Sequence, residues 1–232
     1  NYVPIMGIFI AFKRFSYAKG IWDSPWCGFD NFKFLFITDD AWVITRNTLL
    51  YNLAFIIIGT IISVFMAILL NELGEKLRGK FFQSTLLFPH LLSWVVTSYL
   101  VYALLGATNG FVNNTILAGM GKEGIDWYSV KMYWPLILII VYIWKNAGYT
   151  AIVYMAGIAG IDKEIFEAAR IDGASKVKQI ISITLPMLRP TVIIMTLMSI
   201  GRIFYSDFGL FYQVPMNSGM LFSVTQTIDT YV

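Results

Sequence analysis

Three ionisable residues stand inside stretches that are otherwise apolar: Lys145, Arg202 and Asp207. A charge held at membrane depth costs roughly 3 kcal/mol or more, so such a residue faces a cavity or a partner. Lys145 is surrounded by Trp144, Asn146 and Tyr149, a mixture suited to sugar hydroxyls and ring faces. Lys145 and Tyr149 are one helical turn apart, and a polar face at that depth is tolerated only against protein or water. Arg202, Tyr205 and Asp207 form a second polar group. An arginine there can bind hydroxyls, or neutralise an acidic sugar, through its planar fork of donors. Five residues separate Arg202 from Asp207, about 140° around a regular helix, which makes a direct pair awkward. Either the helix breaks near Gly201 or Gly209, or the two have separate partners. We expect separate roles, with Arg202 reaching a central path and Asp207 holding the outer end of the span. Local pairing, or snorkelling of each to an interface, is the competing reading. Trp94 joins the candidates, although aromatic residues are common at membrane interfaces in any case.

Other chemistries are closed off. Cys27 is the only cysteine and His90 the only histidine, which excludes an internal disulfide and a multi-histidine metal centre. Gly74–Lys80 fits the pattern Gly-x-x-x-x-Gly-Lys, but Phe81 stands where Ser or Thr should hold Mg²⁺. No strand precedes it. The chain is therefore expected to bind no ATP and no cofactor of its own, and to draw its energy from a partner.

The elements that must position these residues are membrane helices. Of 232 residues 57% are hydrophobic and 13% charged, and the mean hydropathy is +0.67. Soluble domains carry about 25% charged residues, so this composition argues for immersion. A net charge of +3 without a basic block gives no reason to expect nucleic acid. Spans are expected over Asn47–Asn71, Leu86–Leu105 (bent near Pro89), Met132–Gly157 and Thr191–Tyr212, with Glu72–Gln83 a short charged turn. Val3–Phe12 is too short to cross and reads as the tail of a span that starts earlier. That makes five membrane segments, the first partial, of an expected six, in an all-α membrane protein of one domain over residues 1–232.

One long polar interval, Ile161–Pro190, lies between the last two spans. Asp162 can cap a helix from Lys163, Gly173 can end it in a left-handed turn, and Ser175 can cap a second helix that Pro186 and Pro190 close. Ile165, Phe166, Ala168 and Ala169 give the first helix an apolar face. Neither helix is expected to span.

Within this interval Glu167-Ala168-Ala169, then Gly173, then Ile183-Thr184-Leu185-Pro186 resembles the EAA loop of binding-protein-dependent ABC importer permeases. Gly28 to Phe32 resembles the first external loop of sugar permeases. Further runs extend the resemblance: Trp144 to Tyr149, Asp207-Phe208-Gly209, Val214 to Asn217 and Thr227 to Val232 are similar to the polysaccharide-type branch of carbohydrate permeases. The resemblance implies a type I ABC importer transmembrane domain in a bacterial inner membrane, with the loop cytoplasmic. It implies that Glu167, Ala168, Ala169, Gly173, Leu185 and Pro186 couple to an ATPase. It implies as partners a second permease subunit, two ATP-binding subunits that hold ATP and Mg, an extracytoplasmic solute-binding protein and the lipid bilayer. The expected substrate path holds Lys145, Asn146, Tyr149, Arg202, Trp94 and Tyr205. With the loop inside, basic residues divide eight inside, Lys76 among them, to seven outside, so charge alone barely sets the orientation. The alternatives are an ABC permease for amino acids or other small polar solutes, and an ATP-independent secondary transporter.

Overall fold

The computed structural model describes residues 3–74 and 77–231. Glu75, Lys76 and Val232, which the sequence reading used, lie outside the described residues. Each long apolar run becomes helix because hydrocarbon offers backbone amides no partner but one another. A ten-residue 3₁₀ helix over Val3–Phe12 is followed by α1 (Gly20–Asp23) and α2 (Asp30–Ile37). α3 (Asp40–Leu73) has 34 residues, about 50 Å of helix. α4 (Leu77–Leu91) and α5 (Trp94–Leu105) meet at 97°. α6 (Trp134–Ala159) leads to the short α7 (Lys163–Ile171). α8 (Lys176–Ile200) is helical throughout, with one π turn over Ile180–Thr184. Among the described residues α3, α6 and α8 are long and apolar enough to cross a membrane, and the α4–α5 pair makes a fourth if counted as one span.

Val3–Phe12 is too short to cross by itself, as its length implied. Three expectations are corrected. The charged interval Glu72–Gln83 is mostly helix, because Lys, Arg, Glu and Gln are good helix formers. The bend falls not at Pro89, which α4 runs through, but at Leu92–Ser93, where the Ser93 hydroxyl accepts from Val96 N at 3.2 Å and starts α5 afresh. Finally, Pro186 and Pro190 do not close a helix. The π turn shifts the hydrogen-bond register just where Pro186 cannot donate, so α8 continues to Ile200 and the span is Lys176–Ile200, not Thr191–Tyr212.

The most extensive packing in the fold is between α3 and α6, and α4 lies against α6. That second contact is close enough to need glycine. A Cβ at Gly148 would sit 1.9 Å from the Leu86 carbonyl oxygen. Two apolar clusters form along the central pair. One gathers Tyr51, Phe55, Trp134, Leu138, Leu210 and Phe211, the other Ala67, Ala151, Tyr154, Ile158, Ile161 and Leu188. α8 is largely unburied, with Ile193, Ile194, Leu197 and Met198 exposed to whatever surrounds the chain.

A polar cleft as the candidate functional site

Between the two apolar clusters α3, α6, α8 and the turn after α8 enclose a cleft of about 300 Å³. α3 supplies Asn52, Thr60 and Ser63, and α6 supplies Tyr142, Asn146 and Thr150. Residues four apart share a helix face, which is why these side chains line up along the same opening. Ser199, Arg202, Tyr205 and Asp207 complete the wall. The helix does break at Gly201, and α3 pins the turn that follows: Asn52 Nδ2 donates to the carbonyls of Ile203 and Tyr205, 3.0 Å each. From behind, the buried Ser206 Oγ donates to Asp229 Oδ2 at 2.8 Å and lies 2.7 Å from Thr227 Oγ1.

The helix ends before Arg202, so the two charges in this wall are set by the turn that follows, and their surroundings differ. The Arg202 guanidinium lies 4.8 Å from the Tyr205 ring centroid and forms no ion pair among the described residues. Asp207 is tied down. Its Oδ2 accepts from Trp94 Nε1 at 2.9 Å and its Oδ1 from Gly209 N at 3.0 Å.

The expected trio Lys145, Asn146 and Tyr149 is divided. Asn146 lines the cleft, and its amide donates to the Tyr142 carbonyl, which leaves its oxygen as an acceptor. Lys145 and Tyr149 share the neighbouring face, which meets α4. Tyr149 stacks on His90 with 4.6 Å between ring centroids. Lys145 is buried, and Nζ donates to the carbonyls of Pro89, His90 and Leu92 at the 97° elbow. These carbonyls lie at and just beyond the negative end of α4, where Pro89 O also accepts from Leu92 N at 3.3 Å, so the ammonium both caps that helix and complements its dipole. The Trp94 ring lies 5.0 Å from the same ammonium. Trp94 therefore joins the elbow to the cleft wall rather than lining the cleft.

At the far end of α8 the loop has the expected form. Asp162 Oδ1 accepts from Glu164 N at 3.0 Å, and Ser175 Oγ from Lys178 N at 3.4 Å. Gly173 has φ +78°, Gly173 N donates to Arg170 O and Ala174 N to Ala169 O, a Schellman ending that only glycine adopts without strain. Phe166, Glu167 and Arg170 border a second cleft of about 310 Å³ with Asn71, Glu72 and Lys176. Ala168, Leu185 and Pro186 are exposed and Ala169 is half-buried.

The family model described as "Binding-protein-dependent transport system inner membrane component" matches residues 48–206. The chain belongs to this family. The polygalacturonan/rhamnogalacturonan transport system permease protein YteP of Bacillus subtilis (strain 168) is 32% identical over 232 residues, all of this chain and 71% of that protein. A crystal structure of a bacterial ABC transporter involved in the import of the acidic polysaccharide alginate superposes with TM-score 0.87 at 30% identity, covering 99% of this chain and 76% of that one. A structure of a bacterial alginate ABC transporter in complex with an alginate pentasaccharide-bound periplasmic protein gives 0.86 at 29% identity, with 99% and 75% covered. The fold is that of an ABC importer transmembrane domain, as the EAA-like loop implied.

Proposed function

We propose that this chain is the membrane-spanning permease subunit of an ATP-driven importer that takes up an oligosaccharide or related carbohydrate in a bacterial inner membrane. What carries the reading is one juxtaposition. A polar cleft sits inside three apolar helices, and a single helix, α8, joins it to an exposed amphipathic loop. The cleft offers amide, hydroxyl and aromatic groups from Asn52, Asn146, Thr150, Tyr142 and Tyr205, the mixture that recognises sugar hydroxyls and ring faces. The loop, through Glu167, Ala168, Ala169, Gly173, Leu185 and Pro186, docks on one of two ATP-binding subunits, which hold the ATP and Mg. A second permease subunit closes the cleft into a path, and a solute-binding protein delivers the sugar. The permease itself makes and breaks no bond.

The test is uptake into proteoliposomes that contain this chain, its partner permease and the ATPases. Oligosaccharide uptake should require both internal ATP and the solute-binding protein, and should survive ionophores that collapse proton and sodium gradients. Uptake driven by either gradient without ATP would show a secondary transporter. Uptake of amino acids in preference to sugars would overturn the substrate class.

A further inference from the structure

We propose that the cleft selects saccharides that carry a carboxylate, and that Arg202 is the residue that reads it. The inference deepens the carbohydrate reading and rests on it. The cleft and the elbow behind it hold two cations, Lys145 and Arg202, and one anion, Asp207. The anion is already committed. Asp207 accepts from the Trp94 indole and from Gly209 N, and it lies within electrostatic reach of Lys145. Trp94 links the two groups, its ring face toward the ammonium and its N–H on the carboxylate. Asp229, the nearest other acid in the chain's C-terminal segment, does not line the cleft, and its Oδ2 is taken by the Ser206 amide and hydroxyl.

One positive charge is left over, and it is the one that lines the cleft. Arg202 contacts the Tyr205 ring and forms no ion pair among the described residues. No hydrogen bond among the described residues engages the guanidinium, so its planar fork of N–H donors is available. Those donors match a planar carboxylate two bonds at a time, and a charge-assisted pair is roughly twice as strong as a neutral hydrogen bond. A uronate residue therefore supplies the missing anion, while Asn52, Asn146 and Thr150 meet its hydroxyls. A neutral sugar of the same shape satisfies the hydroxyl partners and leaves Arg202 without a counter-charge. The difference between the two is the basis of selection.

The experiment uses the assembled transporter in detergent without the solute-binding protein, so that the selectivity measured is the cleft's own. Radiolabelled trigalacturonate and galactotriose serve as probes. The expected result is that the wild type binds trigalacturonate at least about tenfold more tightly. Arg202→Gln should lose most of that preference, through the acidic probe, and Arg202→Lys should keep part of it. Two results overturn the inference while leaving the carbohydrate reading in place. In one, galactotriose binds the wild type as well as trigalacturonate does. In the other, Arg202→Gln lowers both alike or fails to assemble with the partner permease, which would assign Arg202 to the subunit interface. A wild type that binds neither saccharide would remove the carbohydrate reading and this inference together.

Discussion

The loop at one end of α8 and the cleft at the other are built in opposite ways. The bonds that cap and turn the loop are short-range, Asp162 to Glu164, Ala169 to Ala174 and Ser175 to Lys178, and one surface ion pair, Lys176 to Glu72, reaches across 104 residues. The cleft is held by bonds between residues far apart in sequence, with Asn52 reaching Ile203 and Tyr205 across 151 and 153 residues and Trp94 reaching Asp207 across 113. The loop can therefore keep its shape while the helices around it move, whereas the cleft exists only when α3, α5, α6 and α8 are all in place. That suits a docking element and a substrate chamber, respectively.

The sharpest way to break the contrast is at the elbow. Lys145→Met takes from the carbonyls of Pro89, His90 and Leu92 their shared donor and leaves Pro89 the longer bond from Leu92 N. An unsatisfied buried group costs about 1–3 kcal/mol, and the elbow's carbonyls are open to that loss. Monodisperse yield on gel filtration should fall steeply, with the melting temperature reduced in what remains. Wild-type values would mean that the elbow does not depend on Lys145. A smaller, local effect is expected from Gly173→Val, where a β-branched residue at φ +78° costs about 1–2 kcal/mol. Folded yield should stay near wild type while ATPase co-purification and uptake both drop. If the permease itself failed to fold, the loop would not be the self-contained unit described. The smallest effect is expected at Glu72→Gln, which removes the 2.7 Å ion pair between the end of α3 and Lys176. Both groups are partly exposed, so the change should be below about 1 kcal/mol. The difference in melting temperature should shrink further at high salt, which screens surface charge.

How legible each region was follows from the same contrast. Asp162, Gly173 and Ser175 declared their caps in sequence because capping is a matter of three or four neighbouring residues. The spans were legible as apolar runs, but their ends were not. Nothing local says that α8 passes through Pro186 and Pro190, because the compensating π turn depends on the packed helix. The side-chain roles in the cleft were harder still. Lys145 drew attention as a charge in an apolar span, yet its partners are carbonyls of a helix about fifty residues earlier, 53 to Leu92 and 56 to Pro89. Asn52, Thr60 and Ser63 were missed because they carry no charge and stood in a span read only for its length. A signal was present: polar residues at helical spacing in α3, and Tyr142, Asn146 and Thr150 at steps of four in α6. Such residues can satisfy a carbonyl one turn back, as Thr150 does at Asn146, so the spacing alone did not separate a lining residue from a self-bonded one.

The continuity of α8 has a mechanical consequence. Its 25 residues form an arm of about 37 Å. The soft points, the π turn and the two prolines, all lie in the fifteen residues nearest the loop, and from Thr191 to Ile200 there is neither proline nor glycine. The last ten residues are therefore a stiff lever of about 15 Å, and Arg202 rides two residues beyond its tip. A tilt of this lever by about 12° would sweep that tip through about 3 Å. That is the whole reach of a hydrogen bond, so a small rotation suffices to release whatever Arg202 was holding.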